Sequence, residues 1–180
     1  MKRLMPLDRS LLQPIIVENT YIALKGLVDN SWYGQTLMRR SDFHNGTASF
    51  LNEFCTVRMC TARQSGHTSS IVKLMEEYFS SAIYLTPNRQ MSERASSKMA
   101  QDHVGELEKF TKREAHFKDG SLYIFDSVSS KQQDYMRYSF DAVIIDGDSM
   151  IKPADRQRII NDLCSRSIRE QDSFFFILIQ

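Results

Sequence analysis

The chain has 180 residues, 42% hydrophobic and 25% charged, with 23 basic against 22 acidic side chains and a formal net charge of +1. That is the make-up of one globular domain with at most a small appendage, large enough to bury roughly 70% of its unfolded surface without staples. The balanced charge excludes an overall basic footprint for nucleic acid or an anionic membrane, although a total hides any local patch, and no apolar run approaches the ~20 residues of a membrane span.

Cys55, Cys60 and Cys164 form no Cys-x-x-Cys pair, and the histidines do not cluster at metal spacing. With no signal-peptide core at the N-terminus, these are expected to be reduced thiols in a cytoplasmic protein. Residues 1–50 read as an N-terminal, helical segment packed on the core: apolar positions over 11–27 are broken by Pro14, and a polar stretch from 30 to 45 holds the single tryptophan, Trp32. One or two helices are expected there.

From residue 51 onward short apolar runs alternate with amphipathic stretches, the pattern of an α/β core. Strands are expected at 56–60, 82–86 (stopped by Pro87), 122–125, 140–145 and 174–179. The nearly unbroken apolar run of the fourth implies cover on both sheet faces. Helical periodicity fills 70–79, where Ile71, Leu74, Met75 and Tyr78 share a face, then 88–103, and from Pro153 to about 169. The expected fold is a mostly parallel sheet of about five strands flanked by helices, over 51–180.

Two segments carry chemistry. Thr61-Ala62-Arg63-Gln64-Ser65-Gly66-His67-Thr68 lies between an expected strand and an expected helix. A P-loop needs that context, because backbone N–H groups and the helix N-terminus cradle phosphate, a lysine reaches the outer phosphates and a hydroxyl binds magnesium. Gly66 and Thr68 fit this pattern; Thr61 replaces the first glycine and His67 the lysine. Imidazole is shorter than the lysine side chain and, with an ordinary pKa of about 6.5, mostly neutral at pH 7. A ligand-free strand-to-helix turn has the same composition, so the loop alone does not decide. The second segment, Asp141-Ala142-Val143-Ile144-Ile145-Asp146-Gly147-Asp148, is four apolar residues ending in a carboxylate, and a buried strand with an acidic turn reads the same way.

Residues 62–68 resemble the Walker A loop of phage terminase large subunits and related helicase-like ATPases. Asp146 resembles the Walker B aspartate. Residues 86–95 resemble motif Ia, and the final strand resembles the one carrying motif III, with Gln180 at its tip. The order of these segments over 55–180 is that of a RecA-like P-loop NTPase lobe. The resemblance implies nucleotide binding by Arg63, Gln64, Ser65, Gly66, His67, Thr68 and Ser69, magnesium held by Thr68 and Asp146, and a γ-phosphate sensor at Gln180. ATP and Mg2+ are the implied cofactors, in a viral or phage setting such as DNA packaging. The family's water-polarising glutamate is replaced by Gly147, leaving Asp148 as an imperfect catalytic substitute, and the second lobe that completes such sites is absent from these residues. Gln13 is a candidate adenine reader, and Arg89 and Arg94 are candidate contacts to a nucleic-acid backbone.

Three readings follow. The first is a degraded site that binds nucleotide weakly or not at all, in a protein that acts on a protein partner, a second copy or a nucleic acid, with no membrane. The second is an active magnesium-dependent ATPase completed by oligomerisation or a missing lobe. The third uses the fold as a scaffold for a binding surface around Trp32.

Overall fold

The computed structural model describes residues 9–38, 47–60, 66–130, 135, 138–171 and 173–180, with side chains from residue 13 onward. It opens on α1 (Arg9–Leu37), a single helix of 29 residues that continues through Pro14. The proline removes one N–H donor in the second turn and leaves the later turns intact. A short α2 (Thr47–Phe50) passes through a π-helical turn (Leu51–Cys55) into β1 (Thr56–Met59). After the loop come α3 (His67–Tyr78), β2 (Ser81–Thr86) and α4 (Arg89–Asp102). The Asn88 side chain caps α4 by accepting from the Met91 N–H at 3.1 Å. Then follow β3 (Leu107–Phe110), β4 (Glu114–Phe117), β5 (Leu122–Ser127) and β6 (Ala142–Asp146). Pro153 opens α5 (Pro153–Ile159), which runs through a π-helical stretch (Ile160–Cys164) into α6 (Ser165–Glu170), and β7 (Phe175–Ile179) ends the chain.

These strands form one seven-stranded sheet in the order β1-β7-β6-β2-β5-β4-β3. The five strands from β1 to β5 in that order pair in parallel, and β4 and β3 add an antiparallel edge. The expected mostly parallel sheet of about five strands is the parallel part, and the edge brings the total to seven. The two missed strands have four residues each, carry charged residues and lie at the sheet margin, where no long apolar run is required.

Alternation across the central strands builds two cores. Ala142 and Ile144 of β6 join Leu24 of α1 and Ile71, Leu74 and Met75 of α3 on one face. Val143 and Ile145 join Ile159, Leu163 and Ile168 of the α5–α6 segment on the other. Each fully buried aliphatic side chain of this kind stabilises the fold by about 1.5–3 kcal/mol.

Helix α1 lies along α3. The Tyr21 hydroxyl donates to Glu77, Lys73 Nζ sits 3.0 Å from Glu18, Ser70 Oγ donates to the Val17 carbonyl at 2.8 Å, and the Tyr78 hydroxyl donates to Asp29 at 3.2 Å. No helix among the described residues is long and apolar enough to cross a membrane.

Candidate functional site at the loop end of the sheet

Parallel strands put their C-terminal ends, and the N-termini of the helices that follow them, at one edge of the sheet, the usual position of ligand sites in α/β folds. Here α3 begins at His67, three residues before its sequence-expected start, so His67 and Thr68 are fixed on the helix rather than in the loop. Gly66 caps it with φ 70 and ψ 14, a left-handed conformation that suits glycine. The first-turn amides have no intrahelical carbonyl, which makes this end electropositive.

Strand β7 lies between β1 and β6, so its tip falls between the end of β1 and Asp146. Asp146, 2% exposed, faces α3 on the same side of β6 as Ile144. One carboxylate oxygen, Oδ1, lies 3.2 Å from His67 Nε2. The other accepts the hydroxyl of Tyr84, a buried residue in the middle of β2. The hydrogen bond to Asp146 raises the His67 pKa above its ordinary value, against the opposing effect of burial and with further help from the carboxylate's charge. The protein's own carboxylate thus supplies the anion that faces the imidazole. Burial, then the Asp146 charge, pushes the Tyr84 phenol well up, while a hydrogen bond with Thr68 acts the other way. Tyr84 thus links Asp146 to Thr68. Sequence reasoning treated it only as a strand residue; a hydroxyl-bearing aromatic inside Ala82-Ile83-Tyr84-Leu85 was the available signal, since a buried phenol needs a partner.

The other candidates are dispersed. Ser69 lies partly buried in the first turn of α3. The Gln180 N–H donates to the Met59 carbonyl at 2.9 Å, and its side-chain oxygen is 3.3 Å from Cys60 Sγ, at the end of β1. Asp148, 2% exposed, is held at 2.6 Å by Arg156 Nη2 of α5, so its carboxylate is engaged in an ion pair. Gly147 has φ 82, and a Cβ there would lie 2.9 Å from Pro87 Cγ. The position that carries a glutamate in the resembled family is closed to a side chain by backbone conformation and by Pro87. A Cβ at Gly66 would lie 2.4 Å from Val17 Cγ2 and 3.4 Å from Gln13 Nε2, which places α1 against the cap and brings Gln13 beside it. Arg63, Gln64 and Ser65 lie outside the described residues. On the motif Ia side, Arg89 pairs with Glu93 at 2.8 Å, and Arg94 lines a depression shared with Glu93, Lys98 and Lys112. No group of three or more potential metal-ligating side chains occurs among the described residues.

No family model and no curated protein matches the chain. Solved structures do. The ATPase domain of the large terminase of Thermus phage P74-26 aligns over 69% of this chain and 58% of that one, at 16% identity and a TM-score of 0.48. An arginine-to-alanine mutant of the same domain aligns over the same shares, at 15% identity and a TM-score of 0.49. The chain therefore spans under two thirds of the length of these structures, and the similarity is one of fold.

Proposed function

We propose that this is a terminase- or helicase-like P-loop protein with a degraded nucleotide site, which binds nucleotide weakly or not at all and acts by binding a partner. The observation that carries this reading is the double engagement of Asp146, by His67 on one oxygen and Tyr84 on the other. A magnesium ion would need that carboxylate, and both of its oxygens are already engaged by side chains of the protein. Among the described residues, Asp146 as arranged offers no free carboxylate oxygen to a magnesium nucleotide. Gly147 supports the same reading, because neither an acid nor a base can be built there without moving Pro87. The alternative catalytic carboxylate, Asp148, is committed to Arg156.

The test is a thermal-shift titration of the full chain with ATP and ADP, with and without magnesium. At a ligand concentration equal to a millimolar Kd the gain is about 0.4 kcal/mol, and for a chain of this size that is a shift of roughly 1–2 °C. A magnesium-dependent shift of many degrees, accompanied by steady ATP turnover that Asp146→Asn removes, would establish an active ATPase and sink the proposal.

A further inference from the structure

A cavity of about 460 Å3 opens at the opposite edge of the sheet, by the N-terminal ends of β2, β6 and β7. That volume is within the range of ligand and side-chain pockets. Its walls are aromatic: Trp32 from α1, Tyr78 and Phe79 from the end of α3, and Phe175 from the start of β7. Phe79 and Phe175 are core residues, whereas Trp32 is 52% exposed. Its two lining groups that carry charge at neutral pH, among the described residues, are both carboxylates, Asp29 and Asp141. Asp141 Oδ2 accepts the N–H groups of Ser80 and Ser81 at 2.8 and 2.9 Å, and Asp29 Oδ1 accepts the Tyr78 hydroxyl. Each carboxylate keeps further lone pairs for a donor. At the rim, Lys25 Nζ already lies 5.6 Å from the centre of the Tyr78 ring, so this surface supports a cation on an aromatic face.

We propose that the cavity is a docking site for a basic polypeptide segment, with an arginine or lysine side chain entering between the Trp32 indole and the two carboxylates. Charge complementarity selects the occupant. A long basic side chain offers an apolar stem for Phe79 and Phe175 and a cationic head for Asp29 and Asp141. The same carboxylates repel the phosphates of a nucleic acid. A polypeptide also has more to gain than a free cation, because the half-exposed Trp32 indole offers it aromatic surface beside the carboxylates. Exposed aromatic and aliphatic side chains around a pocket are the usual anchors of protein interfaces. This inference rests on the partner-binding half of the proposed function and not on its nucleotide half, since Asp146 lies at the other end of β6.

Trp32 is the only tryptophan in the chain, so its emission reports on this cavity directly. The experiment titrates the full chain with a capped peptide of alternating leucine and arginine, using the matching leucine–glutamate peptide and acetyl-arginine-amide as controls. The expected result is a saturable change in Trp32 emission with the basic peptide, weakened by salt and absent with the acidic one. Asp29→Asn, which keeps an acceptor for Tyr78, weakens binding about fivefold, the upper end of what one partly exposed ion pair contributes. Ser173→Arg puts a cation in the cavity and removes the response; it is independent of any effect of Asp29→Asn on folding, and the thermal melt of each variant reports that separately. The proposal is overturned by an equal response to the acidic peptide, by no saturable response, by variants that fold and bind as the parent does, or by acetyl-arginine-amide binding as tightly as the peptide. Failure here leaves the nucleotide titration untouched, and the reverse holds as well.

Discussion

Replacing Gly66 by alanine tests whether α1 is seated on the loop end of α3. At φ 70 an L-residue costs about 1–2 kcal/mol. The new Cβ would lie 2.4 Å from Val17 Cγ2, more than 1 Å inside the roughly 3.5–4.0 Å at which carbon atoms rest. Val17 cannot swing aside freely, because a β-branched residue in a helix has one strongly preferred χ1 rotamer. The first turns of α1 must therefore give way, an overpacking cost of about 1–3 kcal/mol. The sum, about 2–5 kcal/mol, corresponds to a Tm drop of roughly 5–15 °C in a chain of this size. Val17→Ala removes the clash but not the dihedral strain, so the double variant loses less stability than the two single changes added together. The shortfall is the overpacking part, about 1–3 kcal/mol, read from urea midpoints for the parent, both singles and the double. Additivity within about 0.5 kcal/mol refutes the contact between α1 and the cap.

The pH dependence of stability follows from two histidines. His67 is raised by its hydrogen bond to Asp146, and His103 is raised by Glu106 and Glu76 in spite of the opposing effect of burial. A raised folded-state pKa stabilises fully below the unfolded value, about 6.5, and the benefit is lost as pH climbs through the folded value. The urea midpoint therefore falls as pH rises above about 6.5, and His67→Gln reduces the fall while leaving the part due to His103; an unchanged profile in His67→Gln contradicts the ion pair. Arg156→Ala leaves the Asp148 carboxylate without its partner at 2% exposure. Because Arg156 is itself 37% exposed, the cost is about 2 kcal/mol rather than the 3–5 of a fully buried pair, and chemical denaturation measures it. Introducing both groups of the resembled family, as His67→Lys with Gly147→Glu, leaves ATP turnover at background in a coupled assay, since a side chain at 147 is strained and meets Pro87. Turnover at an ordinary enzyme rate in that double variant would show that the backbone is not the obstacle.

The parallel part of the sheet was legible because its strands announce themselves: β6 is buried at every position, and an apolar run covered on both faces has no other solution. The antiparallel edge was not. Leu107-Glu108-Lys109-Phe110 carries no periodicity strong enough to separate it from a charged loop, and pairing with β4 rather than composition makes it a strand. The candidate site was legible where it depends on strand ends and helix starts, as with Gly66, His67, Thr68 and Asp146. It was not legible where it depends on what crosses over those ends. Tyr84 reaches Asp146 from a neighbouring strand, Pro87 blocks residue 147, and Val17 arrives from a segment about fifty positions away in the chain. Each of these is a tertiary contact with no local pattern to betray it.

Helix α1 was the least readable element, and the reason bears on function. A helix that buried one face and wetted the other would separate its apolar residues cleanly. Here Tyr21, Leu24 and Val28 face the core while Ile15, Ile22, Tyr33 and Leu37 face water. The helix is about 43 Å long at the ordinary rise per residue and touches both ends of the sheet. Val17 sits on the Gly66 cap, and Gln35 donates to the Phe174 carbonyl at 2.8 Å while accepting the Phe174 N–H at 3.1 Å. Between these anchors the Tyr21–Glu77 and Tyr78–Asp29 hydrogen bonds hold it to α3. The loop end and the cavity end share one helix but use different anchors, so the proposed weakness of nucleotide binding at Asp146 places no constraint on the proposed binding at Trp32. Exposed apolar residues that do nothing for the core are what a binding face requires, and they are also what blurred the sequence pattern.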